Sequence, residues 1–244
     1  MVVPARGAVY SSTLEAPILL LGTAHVVDLD GPIRATLRDR PLDAIAVELD
    51  EERAQAMLPE PAPGARRSGG GDAPLFVRLW AVIQKRLGGE LGAGVAGAEM
   101  RSAAALAKER GIPLLLIDDP IRETIRRLIA ALSPKERVAL IVGSIVGLVI
   151  PSRVVRKELD RYADAPEDFS ADLRTAYPGV ARVLLDERNE HMAARLTEAR
   201  RNGYGRVAAI VGDAHVRGLA AALRRRGVPT ETVAFGALRA TTAS

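Results

Sequence analysis

Two stretches of nearly the same sequence, LLLGTAH at residues 19–25 and AIVGDAH at residues 209–215, decide the fold. Each stretch is an apolar run that ends in a Gly-x-Ala-His turn. Together the two turns hold two of the three histidines in the chain. A short apolar run that ends at a glycine is typical of a buried strand in a parallel sheet. The two stretches therefore predict two strands, far apart in sequence, each followed by a histidine.

Further apolar runs alternate with amphipathic helical patterns along the chain. We predict strands at residues 17–21, 43–49, 111–119, 206–213 and 229–235. Apolar strands that alternate with helices indicate an α/β fold, with a mostly parallel central sheet covered by helices. The helical stretch at about residues 120–203 is too long for a single crossover. We therefore expect a helical insertion or lid between the third and fourth strands.

The chain is expected to form a single domain, residues 1–244, because its length is sufficient for one large core. Within it, the stretch PEPAPGARRSGGGDAP at residues 59–74 is rich in proline and glycine and has no apolar periodicity. Such a composition predicts a flexible loop. The chain contains no cysteine, which excludes disulfides, thiolate metal ligands and cysteine nucleophiles.

The charge of the chain bears on whether it binds nucleic acid. The net charge is +4 and the pI is about 9.7. The cationic residues are almost all arginine, and the basic cluster at residues 224–226 has no aromatic residues interleaved with it to stack bases. We therefore expect no nucleic-acid partner.

No signal peptide is visible, and the longest apolar run, residues 138–150, is shorter than the roughly 20 residues that span a bilayer. We expect a protein that is cytoplasmic or peripheral to a membrane, and oligomer formation stays open.

Polar residues follow four of the predicted strands. In an open parallel sheet, ligands bind beyond the carboxyl ends of the strands. The side chains expected at that edge are His25, Glu48, Asp118, Asp119 and His215. Two imidazoles and a carboxylate suit a divalent ion such as Zn, Mn, Fe or Co. For either histidine alone, a local hydrogen bond within its own turn is the alternative explanation. A carboxylate inside an apolar strand needs a metal, an arginine or a histidine as its partner.

Two helical segments add further candidates. The longest predicted helix covers residues 177–202. Arg188 lies on or beside its apolar stripe, and Asn189 follows Arg188. An inward-facing arginine can clamp a substrate carboxylate or hold Glu48 in place. Glu99 follows a Gly-rich break and is either a partner of the helix dipole or a site carboxylate. His191 is expected to face solvent, although a role as third ligand is the alternative.

Several of these segments, in order along nearly the whole chain, resemble the TraB/PrgY family and, more distantly, the Tiki proteases. They are LLLGTAHV, IAVELDEER, GAEMRSAAALAKERGIPLLLIDDPI, ERNEHMAARL and VAAIVGDAHVRGL. Tiki proteins are Mn- or Co-dependent peptidases that trim a secreted signal protein, and PrgY blocks or degrades a peptide pheromone. Many members of the family carry a C-terminal membrane region, and we expect none in the sequence given. The resemblance implies a metal-dependent hydrolase site formed by His25, Glu48, Arg188, Asn189 and His215, together with Glu99 and Asp118.

We therefore predict a metal-dependent hydrolase, specifically a peptidase acting on a signal or pheromone-like peptide. Mn, Co or Zn would be held by His25, Glu48 and His215, and would lower the pKa of its bound water. Glu99 or Asp118 would act as general base, and Arg188 would orient the substrate or stabilise developing charge. The alternative is a non-catalytic binder that sequesters a peptide or small signal in the same cleft.

Overall fold

The fold is taken from a computed structural model, and the description covers residues 16–23, 29–58, 97–133, 135–136 and 166–240. Three sequence predictions fall wholly or partly outside these ranges. The flexible loop at residues 59–74 is one, His25 is another, and the third is the middle of the helical insertion, residues 137–165. Those predictions stay predictions.

A single parallel sheet forms the centre of the described structure, with the strand order β3-β2-β4-β1-β5. The strands are β1 Ile18–Thr23, β2 Ala44–Val47, β3 Leu114–Leu116, β4 Val207–Gly212 and β5 Thr230–Val233. Every neighbouring pair is parallel. The prediction of an α/β fold with a parallel sheet is confirmed, and each observed strand lies within or next to its predicted range.

Helices cover both faces of this sheet. They are α1 Asp30–Leu37, α2 Glu51–Met57, α3 Ala98–Glu109, α4 Ile121–Ala131, α5 Pro166–Ala176, α6 Pro178–Ala181, α7 Arg188–Arg201, α8 Asp213–Arg225 and α9 Phe235–Ala240, with a π-helix at Arg182–Glu187. Helices α4 to α7 and the π-helix lie between β3 and β4, where the sequence predicts the insertion. Within the described ranges, no helix combines the length and apolar character that a membrane crossing requires.

Alternate strand residues pack into two separate cores because successive side chains point to opposite faces of a strand. Leu20 of β1 packs in the core that contains Met192 of α7 and Leu219 of α8. Its neighbour Leu21 packs in the other core, with Ile33 of α1. The central strands are buried throughout, which explains why their sequences are continuous apolar runs.

The strands of the two opening stretches are direct neighbours. β1 pairs with β4 in parallel, and at their carboxyl ends Thr23 pairs with Gly212. The chain then enters α8 directly, so His215 lies in the first turn of that helix. On the β1 side, residues 24–28 are outside the described ranges. The expected approach of His25 to His215 therefore stays a prediction.

Gly22 allows the start of α8 to cross the end of β1. A Cβ atom at this position would lie 1.9 Å from Oδ1 of Asp213. The same oxygen accepts a hydrogen bond from the backbone N–H of Phe235 at 2.8 Å, which connects α8 to the start of α9. We expect Gly22→Ala to displace Asp213 and to lower the free energy of unfolding by about 1–3 kcal/mol, as overpacking does.

Urea denaturation measures this change, and Gly236→Ala is the matched control. A Cβ atom at Gly236 would meet no atom within 4 Å. Because Gly236 is in α9, alanine there is expected to be neutral or stabilising. Equal stabilities of the two variants would show that Gly22 does not enable this crossing.

Candidate functional site

The guanidinium of Arg188 lies among three polar side chains at the carboxyl edge of the sheet. Its Nε donates to Oδ1 of Asp118 at 2.9 Å, and its Nη2 donates to Oδ2 of Asp118 at 2.5 Å. Nη2 also donates to Oε1 of Glu48. Nη1 lies 3.1 Å from Nε2 of His215. A single arginine thus connects three segments that are far apart in sequence.

The topology explains this convergence. Glu48 directly follows β2, Asp118 follows β3 by two residues, and His215 lies in the first turn of α8, directly after β4. Because β3, β2 and β4 are consecutive in a parallel sheet, their carboxyl ends share one edge. Arg188 and Asn189 reach this edge from the first turn of α7. The structure therefore brings together five of the residues that the sequence singles out.

Hydrogen bonds to both ring nitrogens define the protonation of His215. A guanidinium can only donate, so Nε2 of His215 must accept from Nη1 of Arg188. Nδ1 then carries the proton and donates to Oδ1 of Asn189 at 2.9 Å. The ring is buried in the first turn of α8, where the helix dipole disfavours a positive charge. His215 is therefore a neutral imidazole whose Nε2 lies 3.4 Å from Oε1 of Glu48.

Glu48 is a buried carboxylate that the surrounding residues keep ionised. Its Oε2 accepts the backbone N–H of Gly212 at 2.6 Å. Burial disfavours the charge of Glu48, but the positive charge of Arg188 and the hydrogen bonds from Arg188 and from the Gly212 amide stabilise the ionised carboxylate. The carboxyl group therefore carries a negative charge next to the unprotonated Nε2 of His215.

Asp118 is held between two arginines. Its side chain is fully buried, and Nη2 of Arg53 donates to Oδ2 at 2.5 Å in addition to the bonds from Arg188. Burial acts to raise its pKa, but the hydrogen bonds and charges of Arg188 and Arg53 lower the pKa of Asp118 to about 2. Arg53 is not among the site residues that the sequence predicts. Its position one turn after the helix cap Asp50 was the available signal.

Gly218 is a second residue that the sequence analysis missed. A Cβ atom there would lie 2.1 Å from Nδ2 of Asn189. The close approach of α7 to α8, and with it the Asn189–His215 hydrogen bond, therefore requires glycine at this position. A glycine inside the predicted helix was the available signal, because glycine is unfavourable in helix interiors and usually has a packing reason there.

A π-helix, Arg182–Glu187, immediately precedes Arg188. The sequence predicts an uninterrupted helix over residues 177–202, so this segment is a difference from prediction. A π-helical turn contains more residues than an α-helical turn and changes which face the following side chains occupy. Such segments occur often at functional sites. Here the π-helix sets the face of α7 from which Arg188 and Asn189 reach the sheet edge.

The remaining candidates lie around this centre. His191 is about one-third exposed, and its Nδ1 lies 2.9 Å from Oδ1 of Asp119. Asp119 also accepts a hydrogen bond from Arg127. Glu99 is buried in the first turn of α3. That helix packs on the face of the sheet opposite to α7 and α8, and the assignment of Glu99 as a site carboxylate stays a prediction.

The donors at His215 and Glu48 fit a divalent ion. Two ligand atoms that are each about 2.0–2.1 Å from a tetrahedral ion are separated by about 3.3–3.4 Å, and Nε2 of His215 is 3.4 Å from Oε1 of Glu48. The bond from Nδ1 to Asn189 is the outer contact that metal-binding histidines usually make. Among the described residues, no group of three acidic or histidine side chains forms a complete metal site. His25, the third predicted ligand, is outside them.

Asp118→Asn tests the ion pairs that hold Arg188. The pKa of Asp118 is lower in the folded chain than its ordinary value of 3.8, so its ion pairs stabilise the fold fully above that value. This stabilisation is lost as the pH falls towards about 2. We expect the variant to be less stable than the parent near neutral pH by about 3–5 kcal/mol, as when a buried ion pair loses one partner. The difference should narrow as the pH falls through this window.

Denaturant unfolding at several pH values measures that difference. Glu109→Gln is the control, because Glu109 pairs with Arg34 at the exposed surface. This control should stay close to the parent at every pH. A stability difference for Asp118→Asn that is constant down to pH 2 would contradict the assigned ion pairs.

Comparison with known proteins identifies the family. Residues 11–232 match the model of the TraB/PrgY/gumN family. The chain is also 30% identical, over 223 residues, to Uncharacterized protein MJ1365 of Methanocaldococcus jannaschii. That alignment covers 89% of this chain and 56% of the relative, so the chain spans about half the length of the relative. No solved structure matches the chain. The chain belongs to the TraB/PrgY/gumN family.

Proposed function

We propose that this protein is a metal-dependent hydrolase that cleaves a signal or pheromone-like peptide. One observation carries the proposal: an unprotonated imidazole nitrogen of His215 and an ionised carboxylate oxygen of Glu48 are 3.4 Å apart at the carboxyl edge of the sheet. This edge is where open parallel sheets bind their ligands. The resemblance of several segments to the Tiki proteases supports a peptide substrate.

His215, through Nε2, and Glu48, through Oε1, would hold the ion, with His25 as the expected third ligand. Mn, Co and Zn are the candidate ions, because each accepts mixed imidazole and carboxylate ligands. When bound, the ion would supply Lewis acidity to a substrate carbonyl and to water. Asn189 would fix the orientation of the His215 ring through Nδ1.

Arg188 would supply positive charge to the reacting groups. The side chain of Arg188 is 13% exposed, so it is mostly shielded from water. A charge in such a shielded site interacts more strongly with other charges than it does in solvent. Arg188 would stabilise negative charge that develops on the substrate or bind a substrate carboxylate. Asp118 has a pKa of about 2 and is a weak base, so we assign it the role of holding Arg188. Glu99 is then the expected general base.

One observation favours a second function. Arg188 pairs with Glu48 and Asp118, and Arg53 pairs with Asp118, so arginines of the protein already partner both buried carboxylates. Such a cleft could sequester a peptide or small signal without turning it over. Metal-dependent turnover distinguishes the two functions, because a binder needs no ion with an open coordination position.

Glu48→Gln is the variant that tests hydrolysis. It removes the charge of the proposed ligand but nearly keeps its size, and Arg188 retains Asp118 as its partner, so the variant should fold. We expect metal-dependent cleavage of a quenched fluorescent peptide library to fall about 100-fold or more, since changes to outer contacts alone cost about 10–100-fold. Circular dichroism would establish that the variant is folded.

Glu52→Gln is the control for this experiment, because Glu52 pairs with Arg122 on the exposed surface. It should cleave the library at the parent rate. Hydrolysis by Glu48→Gln at the parent rate, or hydrolysis by the parent protein after exhaustive chelation, would contradict a metal-dependent hydrolase. In that case the sequestering binder would be the better assignment.

A further inference from the structure

We propose that Arg188 competes with the metal ion for His215 and Glu48. In the metal-free chain its guanidinium is an internal cation that occupies both ligand atoms, and an ion binds by displacing it from them. The inference rests on the metal site of the proposed function. It adds which group occupies the ligand atoms when no ion is bound, and what must move for an ion to bind. It is carried by the contacts of Arg188, by the charges around it and by the acceptors available to it after displacement.

The first argument concerns the single lone pair of Nε2. An imidazole nitrogen without a proton has one lone pair in the plane of the ring. In His215 that lone pair accepts from Nη1 of Arg188 at 3.1 Å. The other ring nitrogen donates to Asn189. A metal ion therefore cannot bind Nε2 until the hydrogen bond from Nη1 is broken.

The second argument concerns charge. Glu48 and Asp118 contribute two negative charges, and Arg188 and Arg53 contribute two positive charges. Asp50, which pairs with Arg53, adds a third negative charge beside them. His215 is neutral, so Arg188 is the cation in contact with both proposed ligand atoms. A divalent ion added beside an unmoved Arg188 would create a strong repulsion between cations in a site that water screens poorly. Withdrawal of Arg188 from Glu48 relieves this repulsion and leaves the carboxylate to the ion.

The third argument is that Arg188 has acceptors on its other side. Its Nε and Nη2 form a two-point contact with Asp118 that involves neither Glu48 nor His215. Its Nη1 already donates to the backbone oxygen of Leu184, in the π-helix, at 3.3 Å. After displacement the guanidinium would therefore keep a buried carboxylate partner and a carbonyl acceptor. This avoids the large cost of an unpaired buried charge.

The competition has a consequence for metal selectivity. An ion must replace a hydrogen bond to a neutral imidazole nitrogen and one to a carboxylate. Co and Zn bind imidazole well, whereas Mg prefers oxygen ligands and gives up its water reluctantly. The site should therefore accept Co or Zn and exclude Mg.

The test is the affinity of the 244-residue chain for Co²⁺, measured by titration calorimetry after chelation and dialysis. Three variants are compared with the parent: Arg188→Met, Arg188→Lys and Arg53→Met. Lysine keeps the buried positive charge and so supports folding, but its single ammonium cannot reproduce the planar contacts of the guanidinium. Arg53 donates to the same oxygen of Asp118 and to the backbone oxygen of Asp119, away from Glu48 and His215, so it is the matched control for loss of a nearby charge.

We expect Arg188→Met to bind Co²⁺ about tenfold more tightly or better, because the ion no longer has to break hydrogen bonds to a charged donor. Arg188→Lys, whose ammonium can still donate but cannot reproduce the planar contacts with both ligand atoms, should also bind Co²⁺ more tightly than the parent but gain less. Arg53→Met should stay within about threefold of the parent, since it removes only a more distant like charge. Circular dichroism of each variant establishes that the comparison is between folded proteins.

Other outcomes overturn the proposal in distinguishable ways. If the Arg188 variants bind Co²⁺ no more tightly than the parent, and His215→Ala still loses binding, the competition is wrong but the metal site is supported. An equal gain of Co²⁺ affinity in Arg53→Met would show that general charge repulsion explains the effect, and this would also contradict the competition by Arg188. If no chain binds Co²⁺ in a His215-dependent manner, the metal site itself is wrong, and the proposed function fails with the competition.

Discussion

The hydrogen bond from Arg188 to Nε2 of His215 determines the chemistry available at the sheet edge. Because the guanidinium can only donate, His215 must be neutral and must carry its proton on Nδ1. That tautomer presents a lone pair close to the Glu48 carboxylate. The same arginine pairs with Glu48 and Asp118, and Arg53 adds a second positive charge at Asp118, so the three strand ends that deliver Glu48, Asp118 and His215 can be buried together. Without Arg188, two buried carboxylates would repel each other.

The fold positions Arg188 through features away from the site. The π-helix before α7 sets the direction of the first α7 side chains, and Gly218 lets α7 approach α8 closely enough for Asn189 to reach His215. Arg53 donates to Oδ2 of Asp118, the oxygen that Arg188 also contacts. These contacts hold the side chains in place before any ligand arrives, which is what a site needs to act through electrostatics.

The sequence predicts the sheet and most of the central residues because both follow from strand ends. Apolar runs identify the strands, and the polar residues after them, including Glu48 and His215, must then share one edge. The π-helix at Arg182–Glu187 was not predictable, because it depends on how the helix packs and leaves no periodic signal. The short helix at Phe235–Ala240 follows the last strand and was missed because its six residues are too few for a periodic pattern. The contact of His191 with Asp119 depends on tertiary packing in the same way.

The protonation of the His215 ring tests the central claim most directly. Long-range nitrogen–proton NMR spectra of the metal-free protein, assigned with a His215→Gln variant, distinguish the two neutral tautomers from the imidazolium. We expect a neutral ring with the proton on Nδ1 at neutral pH, as the contacts with Arg188 and Asn189 require. A ring protonated on Nε2, or on both nitrogens, would contradict the contact between Arg188 and His215 and with it the metal site built upon that contact.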